Sequence, residues 1–148
     1  MTEQITIHQH PLFIALEELD LPRQDFIIAG SGPLLAHGIR DNITDLDIVA
    51  RGPAWELVQT MAPIQPAPWE DVARVLLFDG RLEILNGWFP SMWAVDEFID
   101  DREIRHGLPF APLDRVLRWK SRLGRAKDLA DIDATLRYFT AAALPPGG

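Results

Sequence analysis

The most informative part of the chain is residues 26–50, which read FIIAGSGPLLAHGIRDNITDLDIVA. The first four residues are apolar and predict a buried strand that stops at Gly30-Ser31-Gly32, where a helix should begin. Glycines let backbone N–H groups come close to a ligand, and a helix N-terminus offers unpaired donors. The turn at Gly30 and Ser31 is therefore a candidate phosphate-binding site, although glycine can also serve turn geometry alone.

Asp45 and Asp47 lie at the start of a second predicted strand in the same stretch. Polar and apolar residues alternate there, and Leu46, Ile48 and Ala50 form the apolar set. Residues i and i+2 of a strand point to one face, so the two carboxylates should converge. Carboxylates this close repel each other unless a cation lies between them, and Mg²⁺ prefers oxygen ligands. Asp45 and Asp47 are thus candidate Mg²⁺ ligands, although two solvated acids would give the same pattern.

Glu83 is the candidate for a third carboxylate at this point. It lies in one of two predicted strands, residues 74–78 and 81–85, which the Asp79-Gly80 turn joins into a hairpin. Its sequence neighbours are apolar and should face the core, so Glu83 should lie on the other face. If this strand lies beside that of the two aspartates, all three acids meet. Otherwise Glu83 is a surface residue of a hairpin.

The rest of the chain predicts an α+β fold, in which helices pack on a small mixed β-sheet. A proline-rich loop is predicted over residues 63–68, and the chain after Pro90 is predicted to be mainly helical. Helices are predicted over residues 11–20, 33–38, 54–61, 112–122 and 126–139.

We expect one domain over residues 1–148. Its core should span about residues 24–90, followed by a C-terminal helical part over about 91–140 and a flexible tail at 144–148. The composition, 47% hydrophobic and 24% charged, is typical of a folded protein. No apolar run is long enough to cross a membrane, and the polar start lacks the layout of a secretion signal. Cysteine is absent, and we expect a cytoplasmic protein.

Charge is distributed unevenly along the chain, whose net charge is −8. Residues 1–101 contain 5 basic and 17 acidic residues, whereas residues 102–148 contain 9 basic and 5 acidic residues. An acidic body argues against non-specific nucleic-acid binding, which depends on many phosphate contacts. A local basic strip is compatible with a nucleoside triphosphate or a short RNA end, or with a solvated helix face.

The spacing of these motifs resembles the nucleotidyltransferase superfamily, which has the polymerase-β-like fold. The superfamily combines Gly-Ser or Gly-Gly at a strand-to-helix turn with Asp-x-Asp and a more distant acid. Gly38-x-Arg40, followed by Thr44-Asp45-Leu46-Asp47, is most similar to the AbiEii-like branch of nucleotidyltransferase toxins and their relatives. A second stretch, HGLPFAPLDRVLRWK and then RAKDLADI, is also similar to that branch. The resemblance covers about residues 24–50 and 106–135.

The resemblance implies an enzyme that transfers a nucleoside monophosphate from a nucleoside triphosphate to an acceptor hydroxyl and releases pyrophosphate. Asp45, Asp47 and Glu83 would be its catalytic residues and would hold Mg²⁺. Glu83 would also help the hydroxyl to lose its proton, although the family more often has aspartate at this position. The acceptor would be tRNA, a protein or a small molecule, and an antitoxin partner is possible. The chain is shorter than most two-domain members, so its acceptor-binding half should be small, absent or supplied by a partner.

Other residues would bind the nucleotide in such an enzyme. Gly30 and Ser31 would hold the outer phosphates. Lys120 would add a phosphate contact, unless it is a surface lysine. Arg40 would either reach the nucleotide or orient an aspartate of the metal site, Asp45, by a salt bridge. The segment that contains Arg125, Lys127 and Asp128 is better explained as a structural turn, with the aspartate in the first turn of the last helix.

Two alternatives remain. A dinucleotide site would need glycine or alanine at Leu35, and its ribose-binding acid at the far end of the second strand. A catalytically inactive nucleotidyltransferase fold that acts as a binding or regulatory module is the stronger alternative. A Walker-type loop is excluded because no Gly-Lys-Ser/Thr follows the glycine turn.

Overall fold

The computed structural model describes residues 6–143. Residues 1–5 and 144–148, which include the tail expected to be flexible, lie outside the described residues. Within the described range, seven strands form one mixed sheet and six α-helices accompany it, which confirms the predicted α+β class. None of the helices in this range is long and apolar enough to cross a membrane.

The sheet brings strands from both halves of the chain together. Its strands are β1 (Phe26–Ala29), β2 (Leu46–Ala50), β3 (Ile64–Pro66), β4 (Ala73–Leu77), β5 (Leu82–Leu85), β6 (Glu103–Arg105) and β7 (Leu108–Phe110). They lie in the order β3-β4-β5-β2-β1-β7-β6. β2 pairs parallel with β5 and antiparallel with β1, while β1 pairs parallel with β7. The start of β2, the start of β5 and the end of β1 therefore meet at the same end of the sheet, where these central strands begin or stop.

Helices cover both faces of the sheet. They are α1 (Pro11–Glu18), α2 (Gly32–Ala36), α3 (Gly52–Val58), α4 (Val95–Asp100), α5 (Leu113–Leu123) and α6 (Ala126–Ala143). On one face, Phe13 of α1 and Val58 of α3 belong to the same buried cluster as Ile28 of β1. On the other face, Phe98 of α4 and Trp119 of α5 are buried with other strand residues. α6 packs against α5.

The order and direction of the strands exclude one of the alternatives. β1 and β2 are antiparallel and are joined through the glycine turn and α2. A dinucleotide-binding turn belongs to a β-α-β unit whose two strands are parallel. The dinucleotide hypothesis is therefore wrong for this chain.

The structure differs from the sequence prediction in two regions. The proline-rich loop expected over residues 63–68 contains β3, an exposed strand at the edge of the sheet, where proline is tolerated. The chain after Pro90 is mainly helical, as predicted, but it also contains β6 and β7, a hairpin that extends the sheet beside β1. Strands of three residues are too short to show a period of two, so neither strand region was visible in the sequence.

Candidate functional site

The candidate site lies at the end of the sheet where β1 stops and where β2 and β5 begin. Asp47 is directly opposite Glu83 in the pairing of β2 with β5, and opposite Ala29 in the pairing of β2 with β1. Gly30 follows Ala29 and begins the turn into α2. Residues in register on neighbouring strands point to the same face, so Asp47 and Glu83 lie side by side. The predicted adjacency of these two strands is confirmed.

Gly30 leaves open the space that the carboxylate of Asp47 occupies. A Cβ atom on Gly30 would lie 2.3 Å from Oδ2 and 3.1 Å from Cγ of Asp47. Gly30 also has a φ of 60°, in the left-handed region that favours glycine. Both the backbone conformation and the approach of an acidic side chain therefore require glycine at this position.

The carboxyl group of Asp47 holds a proton up to neutral pH. Burial raises the pKa of Asp47 to about 7, and the negative charge of Glu83 acts in the same direction. A hydrogen bond with Glu83 and the charge of Asp45 raise the pKa further, while Lys120 opposes the shift. Two neighbouring acids that share a proton form a place where a metal cation can replace that proton.

Glu83 is held from its other side by a cation. Nη1 of Arg74, in β4, donates a hydrogen bond to Oε1 of Glu83 at 3.1 Å. The Glu83 side chain is only 22% exposed, so the alternative of a surface glutamate is wrong. The ion pair fixes the Glu83 carboxylate beside Asp47.

Asp45 is near this pair but is more exposed. It precedes β2, so the strand begins one residue later than predicted. Oδ2 of Asp45 accepts a hydrogen bond from the hydroxyl of Thr44 at 3.3 Å. Asp45 lines the same cavity as Asp47 and Glu83.

Lys120 brings a positive charge to the glycine turn. It is 5% exposed, so the alternative of a surface lysine is wrong. Its Nζ lies 3.0 Å from Oδ2 of Asp131 and 3.7 Å from Oδ1 of Asp128. Nζ also donates a hydrogen bond to the hydroxyl of Ser31 at 3.4 Å. Lys120 therefore connects the turn before α2 to the helix α6.

Arg40 shares the carboxylate of Asp131 with Lys120. Nε and Nη2 of Arg40 donate to the two oxygens of Asp131, each at 2.9 Å. The alternative in which Arg40 orients Asp45 by a salt bridge is wrong. The guanidinium of Arg40 instead forms a bidentate ion pair with buried Asp131. Arg40 still lines the cavity.

Arg125 and Asp128 form the turn that was predicted at the start of α6. The backbone N–H of Arg125 donates to Oδ2 of Asp128 at 3.1 Å, and the guanidinium donates to both carboxylate oxygens. Burial would raise the pKa of Asp128, but the hydrogen bonds from Arg125 outweigh it and keep that pKa below its usual range. The structural role is confirmed. Arg125 and Lys127 also line the cavity, which was not predicted.

These side chains surround a cavity of about 510 Å³, a size typical of sites for nucleotide-sized ligands. Its acidic side consists of Asp45, Asp47 and Glu83, while a fourth lining acid, Asp131, is paired with Arg40 and Lys120. Its basic side consists of Arg40, Lys120, Arg125 and Lys127. A ligand that carries both a metal cation and phosphate groups would complement the two sides.

Two buried tryptophans complete the wall of the cavity. The rings of Trp88 and Trp119 pack edge to face, with centroids 5.4 Å apart. In the part of the chain that the structure describes, Nε1 of Trp88 has no hydrogen-bond partner. A buried donor without a partner costs free energy, and this one is shielded from solvent. Both tryptophans belong to the buried core on this face of the sheet.

The donor set suits Mg²⁺, which binds carboxylate oxygens and usually keeps water and phosphate oxygens as its other ligands. Asp47 and Glu83 supply two adjacent carboxylates. Over residues 6–143, no three His, Cys, Asp or Glu side chains form a ready-made metal-binding group. Mg²⁺ would therefore rest on the Asp47–Glu83 pair, with Asp45 nearby and with oxygens of a bound phosphate completing its coordination.

Besides Arg125 and Lys127, the residues of the site that were not predicted from the sequence as functional residues include Arg74, Trp88 and Asp131. Asp131 carried a signal, because it follows Asp128 by three residues and so lies on the same side of α6. Arg74 and Trp88 carried none, because their role depends on which strands and helices pack together.

The chain was compared with protein-family models, with curated proteins and with solved structures, and none of them matches it. The comparisons therefore assign no family. Its function has to be inferred from the chemistry of the cavity.

Proposed function

We propose that the chain is a Mg²⁺-dependent nucleotidyltransferase with a nucleotidyltransferase-like fold. It would move a nucleoside monophosphate from a nucleoside triphosphate to an acceptor hydroxyl. The observation that supports this most directly is the register of Asp47 with Glu83 beside the Gly30 turn, with Lys120 in the same cavity. Carboxylates facing cations suit a triphosphate that carries a metal ion.

Asp47 and Glu83, with Asp45 nearby, would hold Mg²⁺ on the acidic side of the cavity. Bound Mg²⁺ would stabilise the charge that develops on the phosphate oxygens. The protein contributes position, because the register of β2 and β5 sets the two carboxylates side by side and Arg74 holds Glu83. Glu83 is the carboxylate that would accept the proton of the acceptor hydroxyl.

The outer phosphates would bind at Gly30 and Ser31. Gly30 allows close approach of the backbone, and the hydroxyl of Ser31 already contacts Lys120. Lys120 can turn toward a phosphate without leaving Asp131 unpaired, because Arg40 holds both oxygens of that aspartate. The lysine is thus available to the substrate at a low cost in lost interactions.

In the reaction, the acceptor oxygen forms a bond to the α-phosphorus, and the bond from that phosphorus to the bridging oxygen breaks. The proton of the hydroxyl passes to Glu83, and pyrophosphate leaves with the electrons of the broken bond. Positioning and charge stabilisation supply most of the rate in such a transfer. Since its substrate is a nucleoside triphosphate, we expect the enzyme to act in the cytoplasm.

Nucleotide binding provides the first test. A ligand at one hundred times its Kd stabilises the folded state by about 2.7 kcal/mol, which raises the Tm of a small domain by several degrees. We expect this shift with nucleoside triphosphate and Mg²⁺ together, and a much smaller shift when Mg²⁺ is chelated. If neither Mg²⁺ nor any nucleotide moves the Tm, the proposal is wrong.

Turnover provides the second test. Nucleoside triphosphate labelled at the α-phosphate is incubated with tRNA, proteins and small hydroxyl compounds, and transfer of label is measured. Asp47→Asn should abolish the transfer. Glu56→Ala, which removes an exposed acid on α3, is the matched control and should leave it intact.

A nucleotide-binding module without catalytic activity is the second candidate. The raised pKa of Asp47 favours it, because a carboxyl group that keeps its proton near neutral pH is a weaker metal ligand. This candidate predicts that nucleotide binds with little dependence on Mg²⁺, that Asp47→Asn binds it equally well, and that no acceptor gains label.

A further inference from the structure

Residues 115–127 form a basic segment in an otherwise acidic protein. The segment reads RVLRWKSRLGRAK, with six basic residues and no acidic residue, whereas the whole chain has a net charge of −8. It includes most of α5, the turn at Gly124 and the first residues of α6.

Half of these cations are neutralised by neighbouring acids. The paired cations are Arg115 with Asp101, Lys120 with Asp131 and Arg125 with Asp128. The other three, Arg118, Arg122 and Lys127, are exposed, and no acid within residues 6–143 pairs with them. These three charges are available to a partner.

A second concavity, of about 430 Å³, lies on the outer side of the basic segment. It is lined by Met92, Leu117, Arg118, Ser121 and Arg122. The guanidinium of Arg118 lies 5.4 Å from the centre of the Trp93 ring. An arginine supported by an aromatic ring is partly ordered in advance, so it loses less freedom when it binds an anion.

The outer concavity and the candidate active site approach each other at the end of α5. Arg122 lines the outer concavity, and the next residue, Leu123, lines the active-site cavity. Lys127, the third free cation, also lines the active-site cavity. An anionic chain bound in the outer concavity could therefore continue past Leu123 and Lys127 into the cavity that contains Asp47 and Glu83.

We propose that the acceptor is the end of a single-stranded nucleic acid, whose phosphates bind Arg118, Arg122 and Lys127. Its terminal hydroxyl would enter the cavity beside Glu83. This inference rests on the proposed nucleotidyltransferase function and names the class of acceptor. The acidic remainder of the protein repels a polyanion, so contact is confined to the basic segment.

The shape of the segment favours a strand over an acidic peptide. Arg118 and Arg122 are one helical turn apart, about 6 Å along the axis, which is comparable to the spacing of phosphates in an extended strand. Unstacked bases bind on guanidinium planes and on apolar surfaces such as that of Met92 and Leu117. The path also ends at the metal site, where a terminal hydroxyl would have to arrive.

Fluorescence anisotropy tests the proposal with single-stranded RNA of about 10 nucleotides, a length suited to a single binding groove. Single-stranded DNA, a blunt RNA duplex and polyglutamate of equal charge serve as competitors. The double variant Arg118→Gln/Arg122→Gln should weaken binding of the single strand roughly tenfold or more. With three phosphate contacts, the slope of log K against log salt should be roughly −2 for the unchanged protein and smaller for the variant.

The matched control is Arg23→Gln/Arg137→Gln, which removes the same charge from two exposed arginines that line neither concavity. Its affinity for the strand should be unchanged. If the control weakens binding as much as the test variant, net charge alone explains binding and the proposal is wrong. Equal competition by polyglutamate or by the duplex would also overturn it.

Nucleotide binding in the presence of Mg²⁺ is measured on the same proteins, and separates this proposal from the enzymatic one. If nucleotide binds but the strand does not, the proposed nucleotidyltransferase function stands and the assignment of the acceptor is wrong. Strand binding that depends on Arg118 and Arg122, without any nucleotide binding, keeps the strand-binding surface and overturns the enzyme. Where both ligands bind, label from the nucleotide should appear on a strand with a free terminal hydroxyl. If no label reaches that strand, it is not the acceptor.

Discussion

Gly30 and Asp47 approach each other so closely that a Cβ atom on Gly30 would lie 2.3 Å from Oδ2 of Asp47. The turn that would bind phosphate and the carboxylate that would bind Mg²⁺ therefore share one contact surface. A displacement of the Gly30 turn would therefore move the carboxylate of Asp47, and a displacement of that carboxylate would move the turn. In the proposed enzyme, this contact sets the distance between the metal ion and the triphosphate.

Gly30→Ala should therefore impair the site as well as the fold. The methyl group would displace the carboxylate of Asp47, and we expect the affinity for nucleotide with Mg²⁺, measured by calorimetry, to fall roughly tenfold or more. Gly107→Ala is the matched control, since Gly107 also has a positive φ of 74° but nothing lies within 4 Å of the added Cβ. Both variants should lose about 1–2 kcal/mol of stability from backbone strain. Equal nucleotide affinity in the two variants would contradict the assigned role of Gly30.

The stability of the protein should fall between pH 4 and pH 7. The pKa of Asp47 is raised from 3.8 to about 7 on folding, so over this range the folded state holds a proton that the unfolded state has released. The stabilisation is complete below pH 4 and is lost as the pH rises through 7, with a magnitude on the order of 2–4 kcal/mol. Urea denaturation of the protein and of Asp47→Asn at a series of pH values measures this effect.

The difference in free energy of unfolding between Asp47→Asn and the unchanged protein isolates the contribution of this carboxyl group. The variant should lack this part of the pH dependence, and its relative stability should increase toward pH 8. Mg²⁺ must displace the same proton, so its affinity for the unchanged protein should rise from pH 6 to pH 8. Identical pH profiles for the two proteins would show that Asp47 does not titrate in this range.

Asp131 should matter more for stability than Lys120. Asp131→Asn leaves the buried ammonium of Lys120 and the guanidinium of Arg40 without their shared carboxylate, and should cost about 3 kcal/mol. Lys120→Met should cost less, because Arg40 still pairs with both oxygens of Asp131. Urea denaturation measures the order, and the reverse order would show that the Arg40 pair contributes little.

Arg74 should affect the chemical step rather than nucleotide binding. It holds Glu83 but does not line the cavity, so Arg74→Met should lower kcat roughly tenfold with little change in the KM for nucleotide. Arg23→Met, at an exposed arginine far along the chain, is the control and should change neither constant. A raised KM with unchanged kcat would instead indicate that Arg74 binds the nucleotide.

Strong local patterns made part of the fold predictable. β1 is a buried apolar run, β2 alternates in polarity, and the Asp79-Gly80 turn joins β4 to β5. The alternation in each strand also predicts which face Asp47 and Glu83 occupy. The pairing of β2 with β5 then places the two residues side by side on that face. β3, β6 and β7 were missed because three residues carry no period, and because proline at Pro66 and Pro109 argues against a strand.

The ion pairs of the site were less predictable than its carboxylates. Arg40 pairs with Asp131, which is 91 residues away, rather than with nearby Asp45. Such a choice depends on how α6 packs against α5 and on how strongly each acid is buried, and no local pattern encodes either. Lys120 likewise looked like one charge on a basic helix, whereas its burial follows from the contacts of α5 with the sheet and α6.

The pairing of Arg40 and Lys120 with Asp131 also has a consequence for folding during translation. Translation proceeds from the N-terminus, so both cations emerge before the carboxylate that they share. A nascent chain that has reached β5 already carries Asp47 and Glu83, yet the opposite wall of the cavity cannot assemble until α6 is made. In the proposed enzyme, ribosome-bound intermediates should therefore be inactive, and activity should arise only when α6 packs against α5.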